Sequence, residues 1–118
     1  MMNRGEVWLI TLEPTVGAEM KKTRPAIIMS DDTIGVLPLR VIVPITVWKD
    51  RYAISPWMVK LTPSPTNGLR KLSAADAFQV RCVAQERFIR QLGSLSTSEI
   101  EAITLALAKV FRIPVSTP

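Results

Sequence analysis

Few residue types in this 118-residue chain are available for chemistry. Histidine is absent, and cysteine occurs once, as Cys82. Ser-His-Asp and Cys-His triads are therefore excluded, as is RNA cleavage by a histidine pair. A zinc site is equally disfavoured. Any reaction must run on arginine, lysine, threonine, serine, tyrosine, glutamine and carboxylates. Within that set, Arg24 is an arginine that directly precedes a proline, Pro25. Proline fixes the backbone and disfavours a helical conformation at the residue before it. A guanidinium so held can grip two phosphate oxygens at once, which lysine cannot do in the same geometry. Taken alone, a loop arginine is usually a solvated charge, and Thr46 is an ordinary strand threonine.

Charge narrows the choice of partner. The formal net charge is +5. Between Lys49 and Lys71 there are five basic residues (Lys49, Arg51, Lys60, Arg70, Lys71) against the single acid Asp50, which accounts for +4 of it. Such a segment suits a polyanion or an acidic protein, and equally a merely soluble surface. Trp48, Tyr52 and Trp57 lie in or beside it, as rings on which unpaired bases could stack or as packing residues. Trp8 is assigned to the core. Cys82, set among Phe78, Val80 and Val83, is expected to be a buried, reduced core residue.

The elements that must position these groups are short. Strands are expected at Glu6–Leu12, Pro25–Ser30, Leu39–Val47, Trp57–Leu61 and Ala75–Val83. Pro44 should place the third of these at an edge or a bulge. In the last, alternation puts Asp76, Phe78, Val80 and Cys82 on one face and Gln79 and Arg81 on the other. Ala84–Leu92 reads as a short helix ended by Gly93. A second helix follows from the Ser96/Glu99 capping box and the Leu95/Ile100 staple. It carries the stripe Ile100, Ile103, Leu107, Val110 and closes before Pro114. No repeat or linker divides the chain, so a single domain over residues 1–118 is expected. The N-terminus lacks a signal-peptide pattern and no window could span a membrane, which implies a cytoplasmic location.

An ordered set of motifs runs the length of the chain: Arg4-Gly5-Glu6-Val7-Trp8, then Pro14, Gly17 and Glu19, then Thr23-Arg24-Pro25-Ala26, then Val41–Thr46, Asn67-Gly68-Leu69, Ser73, Phe78–Arg81 and Arg87–Ser96. This set resembles the MazF/PemK toxins. The resemblance implies an α+β, mainly β fold: a small SH3-like β-barrel with short helices and a C-terminal helix. It implies a homodimer that cleaves single-stranded RNA at short motifs without a metal or other cofactor, and that is restrained by an acidic, MazE-like antitoxin. It further implies Arg24 and Thr46 as catalytic residues, with Glu19 as proton acceptor or as a salt-bridge partner of Arg24. Gln79, Trp48, Lys49, Arg51, Tyr52, Arg70 and Lys71 are then the candidates for RNA contact. Some members carry a first-loop histidine where Ala18 stands, and an aspartate where Phe78 stands; Asp76 is the nearest acid to replace the latter. Two other functions share these features: a CcdB-like gyrase poison, whose ending Phe111–Pro118 does not resemble, and a non-catalytic module that binds nucleic acid or antitoxin.

Overall fold

A computed structural model describes residues 2–115. Seven strands precede one helix: β1 (Glu6–Thr11), β2 (Thr23–Ile28), β3 (Leu39–Val47), β4 (Met58–Leu61), β5 (Ser73–Asp76), β6 (Arg81–Ala84), β7 (Phe88–Ser94) and α1 (Thr97–Phe111). Single 3-10 turns at Asp32–Ile34, Asp50–Ile54, Ala77–Gln79 and Gln85–Arg87 join some of them. All pairings are antiparallel, in the order β4-β5-β3-β2-β1-β7, with β6 also on β3. The expected mainly β fold with a C-terminal helix is present. The sheet is curled but open, ending at β4 and β7, so the barrel is not closed.

Alternation along the strands builds a core on each face. Val7, Ile27, Val43, Ile45 and Leu61 are buried on one, where Ile103 of α1 joins them and Ile100 and Leu107 pack alongside. Ile10, Leu12, Ala26, Ile28 and Ile42 are buried on the other, against Trp8 and Phe88. Truncating a buried isoleucine such as Ile103 to alanine costs about 2–5 kcal/mol at sites of this kind. The helix begins at the Ser96/Glu99 capping box with Leu95 buried before it, as the sequence implies. It ends at a left-handed Arg112, where the amides of Arg112 and Ile113 donate to Lys109 and Ala108.

Three expectations fail for identifiable reasons. Residues 84–92 are not a helix: from Phe88 they form β7 on β1, with Gly93 inside the strand, because pairing to β1 overrides a weak local helical pattern. The strand expected over Ala75–Val83 is two strands separated by a turn. Asp76 starts that turn by accepting a hydrogen bond from the Phe78 amide at 3.1 Å, which resets the alternation. Asp76 is therefore buried while Phe78 is 69% exposed, and Cys82 is exposed rather than in the core. Pro44, finally, lies mid-sheet. Its partner on β2 is Ala26; on the other side β6 pairs as far as Ile42 and β5 begins at Ile45. The residue without an N–H thus sits where the second partner changes.

Candidate active site

The β2–β3 ladder pairs Ala26 with Pro44 and goes no further towards the start of β2. Beyond that point β2 stays with β1 while β3 turns to β5, so the sheet forks. Arg24 and Thr46 stand on the two prongs. The Arg24 Nη1 donates to Thr46 Oγ1 at 3.3 Å, and Nε donates to the Lys21 carbonyl at 2.8 Å. One guanidinium edge is thereby anchored and the side chain is half-buried, while a small hydroxyl lies beside its tip.

A cleft of about 300 Å³ opens at this fork. Arg24, Thr46, Arg70 and Lys71 all line it, so the structure brings four of the sequence candidates together. Arg90 of β7 lines it too, and sequence reading missed it. Assigning its segment to a helix hid the signal: Arg90 pairs with Leu9, itself paired with Pro25 beside Arg24.

Other candidates act elsewhere. Glu19 turns its carboxylate to the Val16 amide at 2.6 Å, inside the loop joining β1 and β2. Gln79 clips that loop from below: its Oε1 accepts from the Met20 amide at 2.9 Å, and its Nε2 donates to the Ala18 carbonyl at 3.1 Å. Arg81 and Arg87 add tethers, donating to the carbonyls of Leu12 and Glu13. Asp76 accepts from the Phe78 amide, and burial pushes its carboxyl above the ordinary aspartate value of 3.8.

Trp48 and Tyr52 meet edge to face at 5.8 Å. The Lys60 ammonium sits 5.1 Å from the centre of the Trp48 ring and the Arg51 guanidinium 5.5 Å from that of Tyr52. The rings thus carry cations on their faces, an arrangement suited to phosphate as much as to a base. Lys49 is exposed at the start of the same turn. Trp57 packs instead on Phe78, with ring centres 5.9 Å apart.

Comparison with known proteins places these features. Endoribonuclease MazF9 of Mycobacterium tuberculosis is 34% identical over 111 residues, covering 91% of this chain and 93% of that protein. The crystal structure of MazF from Deinococcus radiodurans superposes with a TM-score of 0.77 at 21% identity, over 94% of this chain and 96% of that one. An endoribonuclease of a mycobacterial species, solved with its cognate antitoxin, gives 0.77 at 20% identity over 97% and 98%. Residues 3–111 match the family described as the PemK-like, MazF-like toxins of type II toxin-antitoxin systems, and the chain belongs to that family.

Proposed function

We propose that this chain is the toxin of a type II toxin-antitoxin pair and an endoribonuclease that cuts single-stranded messenger RNA at a short motif. The carrying observation is the Arg24–Thr46 contact of 3.3 Å at the mouth of a cationic cleft. In the reaction, the 2′-oxygen next to the scissile phosphate attacks phosphorus and the bond to the 5′-oxygen breaks. The products are a 2′,3′-cyclic phosphate and a 5′-hydroxyl end. Arg24 stabilises the extra charge on the pentavalent phosphorus by two-point contact. Thr46 orients the attacking hydroxyl or a phosphate oxygen beside it. Among the described residues no carboxylate lines the cleft, so the 2′-hydroxyl proton passes to solvent, the leaving 5′-oxygen takes one from solvent, and we assign Glu19 to shaping the first loop. The toxin acts in the cytoplasm as a single-domain homodimer, and an acidic MazE-like antitoxin competes with RNA for the basic surface. Among the described residues no helix is long and apolar enough to cross a membrane.

The test is incubation of the protein and its Arg24→Ala variant with long single-stranded RNA in EDTA. Discrete cuts ending in cyclic phosphate, lost in the variant, support the reading. A folded wild-type protein that binds RNA or antitoxin and makes no product would show a binding module instead, and inhibition of gyrase without RNA cleavage would show a gyrase poison.

A further inference from the structure

The cleft holds more positive charge than one phosphate requires. Among the described residues fourteen line it, of which four are cationic (Arg24, Arg70, Lys71 and Arg90) and none is acidic. Like charges gathered in so small a space repel one another unless an anion enters. A single scissile phosphodiester carries one charge, and Arg24 is placed to meet it.

Arg90 is set for a different phosphate. Leu9 pairs with Pro25 on one side and with Arg90 on the other. The Arg90 and Pro25 backbones are therefore two strand spacings apart, about 10 Å. An arginine rising there reaches the next phosphate along a strand more readily than the one gripped by Arg24. Between the two positions the floor is apolar, with Leu9 and Leu92 exposed to the cleft, and it offers a surface for one nucleoside.

The segment that carries Arg70 and Lys71 is rigid and packs on β7. Gly68 has φ +69°, and any Cβ there would run into the Leu92 carbonyl; a Cβ at Gly93 would run into the carbonyl of Thr66. Ser94 N donates to that Thr66 oxygen at 2.8 Å. Asn67 is fully buried and bonds Ser64, Leu69 and Thr62. Backbone packed on backbone thus fixes Arg70 and Lys71 relative to β7, and the site is formed before ligand arrives.

We propose that Arg90, with Arg70 from the neighbouring segment packed on β7, binds the phosphate adjacent to the scissile one and seats the intervening nucleoside on the Leu9–Leu92 floor. It is a substrate-binding residue that sets the shortest RNA the toxin can use. This rests on the RNA-cleaving reading above.

The experiment uses wild type, Arg90→Gln and Arg90→Lys with an oligonucleotide spanning a mapped cut site. An uncleavable 2′-deoxy version of it is used for binding. For Arg90→Gln, KM should rise about tenfold with kcat within twofold. The slope of log affinity against log salt should fall by about 0.7, the value for one phosphate contact on a single strand. Arg90→Lys should keep the slope. A neutral methylphosphonate at the adjacent linkage should weaken wild type about tenfold and leave Arg90→Gln unchanged. An unaltered KM and slope in folded Arg90→Gln, or an equal methylphosphonate penalty in both proteins, overturns the proposal. Should Arg90→Gln fail to fold, the methylphosphonate scan on wild type and Arg90→Lys still decides: no adjacent linkage sensitive in either protein overturns it. Failure of wild type to bind or cut any RNA instead removes the reading on which it rests.

Discussion

Arg24 and Thr46 face each other across the sheet fork two residues beyond the last paired positions, Ala26 and Pro44, as if the β2–β3 register continued without its hydrogen bonds. Two side chains that share a register but not a ladder leave a gap between their strands, and a phosphate can enter it. Removing either side chain should therefore cost catalysis more than stability. Arg24→Ala is expected to lower kcat at least 10²–10³-fold, the usual loss for one donor to a developing oxyanion. Thr46→Val, which keeps the shape, should lose about tenfold or more. Arg24→Lys should not recover the lost activity, since an ammonium cannot make the two-point contact. Single-turnover cleavage with parallel thermal melts checks all three; near-wild-type cleavage by Arg24→Ala would remove it from the site.

Gln79 governs loop shape through its bonds to Met20 and Ala18. Gln79→Ala gives up two hydrogen bonds worth about 1 kcal/mol each, so residues 13–22 should open more often. Trypsin should then cut after Lys21 or Lys22 about tenfold faster than in wild type, while global melting changes little. Equal cleavage rates would show that the loop holds itself.

Gly93→Ala forces a methyl group into the Thr66 carbonyl, and no side chain can move aside to accept it. The expected loss is about 2–3 kcal/mol or more, in the range of strained or overpacked sites. Gly17→Ala, with open space around it but φ +60°, should cost only about 1 kcal/mol, the left-handed backbone penalty. Urea denaturation compares them, and equal losses would contradict the backbone contact.

Asp76 binds its proton more tightly in the folded protein than in the unfolded chain, because burial raises its pKa. Its contribution to stability is thus full below the ordinary value of 3.8 and is lost as pH rises through the folded value. Asp76→Asn keeps an acceptor for the Phe78 amide and removes the buried charge. Its melting temperature should equal or exceed that of wild type at pH 7, and the difference should close in acid. A variant less stable at pH 7 would show that the charge itself is required.

What the sequence made legible follows from how local each signal is. β3 matches its expected bounds, Leu39–Val47, because β-branched residues run through it on both faces. The capping box placed the start of α1, since Ser96 and Glu99 satisfy each other's amides without help from the rest of the fold. The segment 75–83 departs from a single strand because Asp76 capping one turn is as local as a strand signal yet invisible to alternation. The stretch 84–92 differs for another reason: from Phe88 onward only pairing with β1 makes it a strand. In the candidate site, Arg24 and Thr46, singled out by motif, line one cleft with Arg70 and Lys71, singled out by charge. Gln79 and Glu19 hydrogen-bond to the first loop instead of lining the cleft, because their partners, Met20, Ala18 and Val16, are backbone atoms that no motif specifies. The comparison of the tail with gyrase poisons rests partly on residues 116–118, which lie outside the described residues.

The fork has a bearing on motion. Pro25 and Pro44 bring no amide hydrogen to the strands where they part, so peeling back the Ala26–Pro44 pair breaks at most one backbone hydrogen bond. Beyond it, Ile27 on Val43 and Ile28 on Ile42 are fully buried and resist opening. The sheet behaves like a zipper with teeth missing beside its open end: it can spread by one step to admit a bulky nucleotide and then stops. Amide exchange should show that boundary directly, fast at Ile45 and slow from Ile27 and Val43 inward.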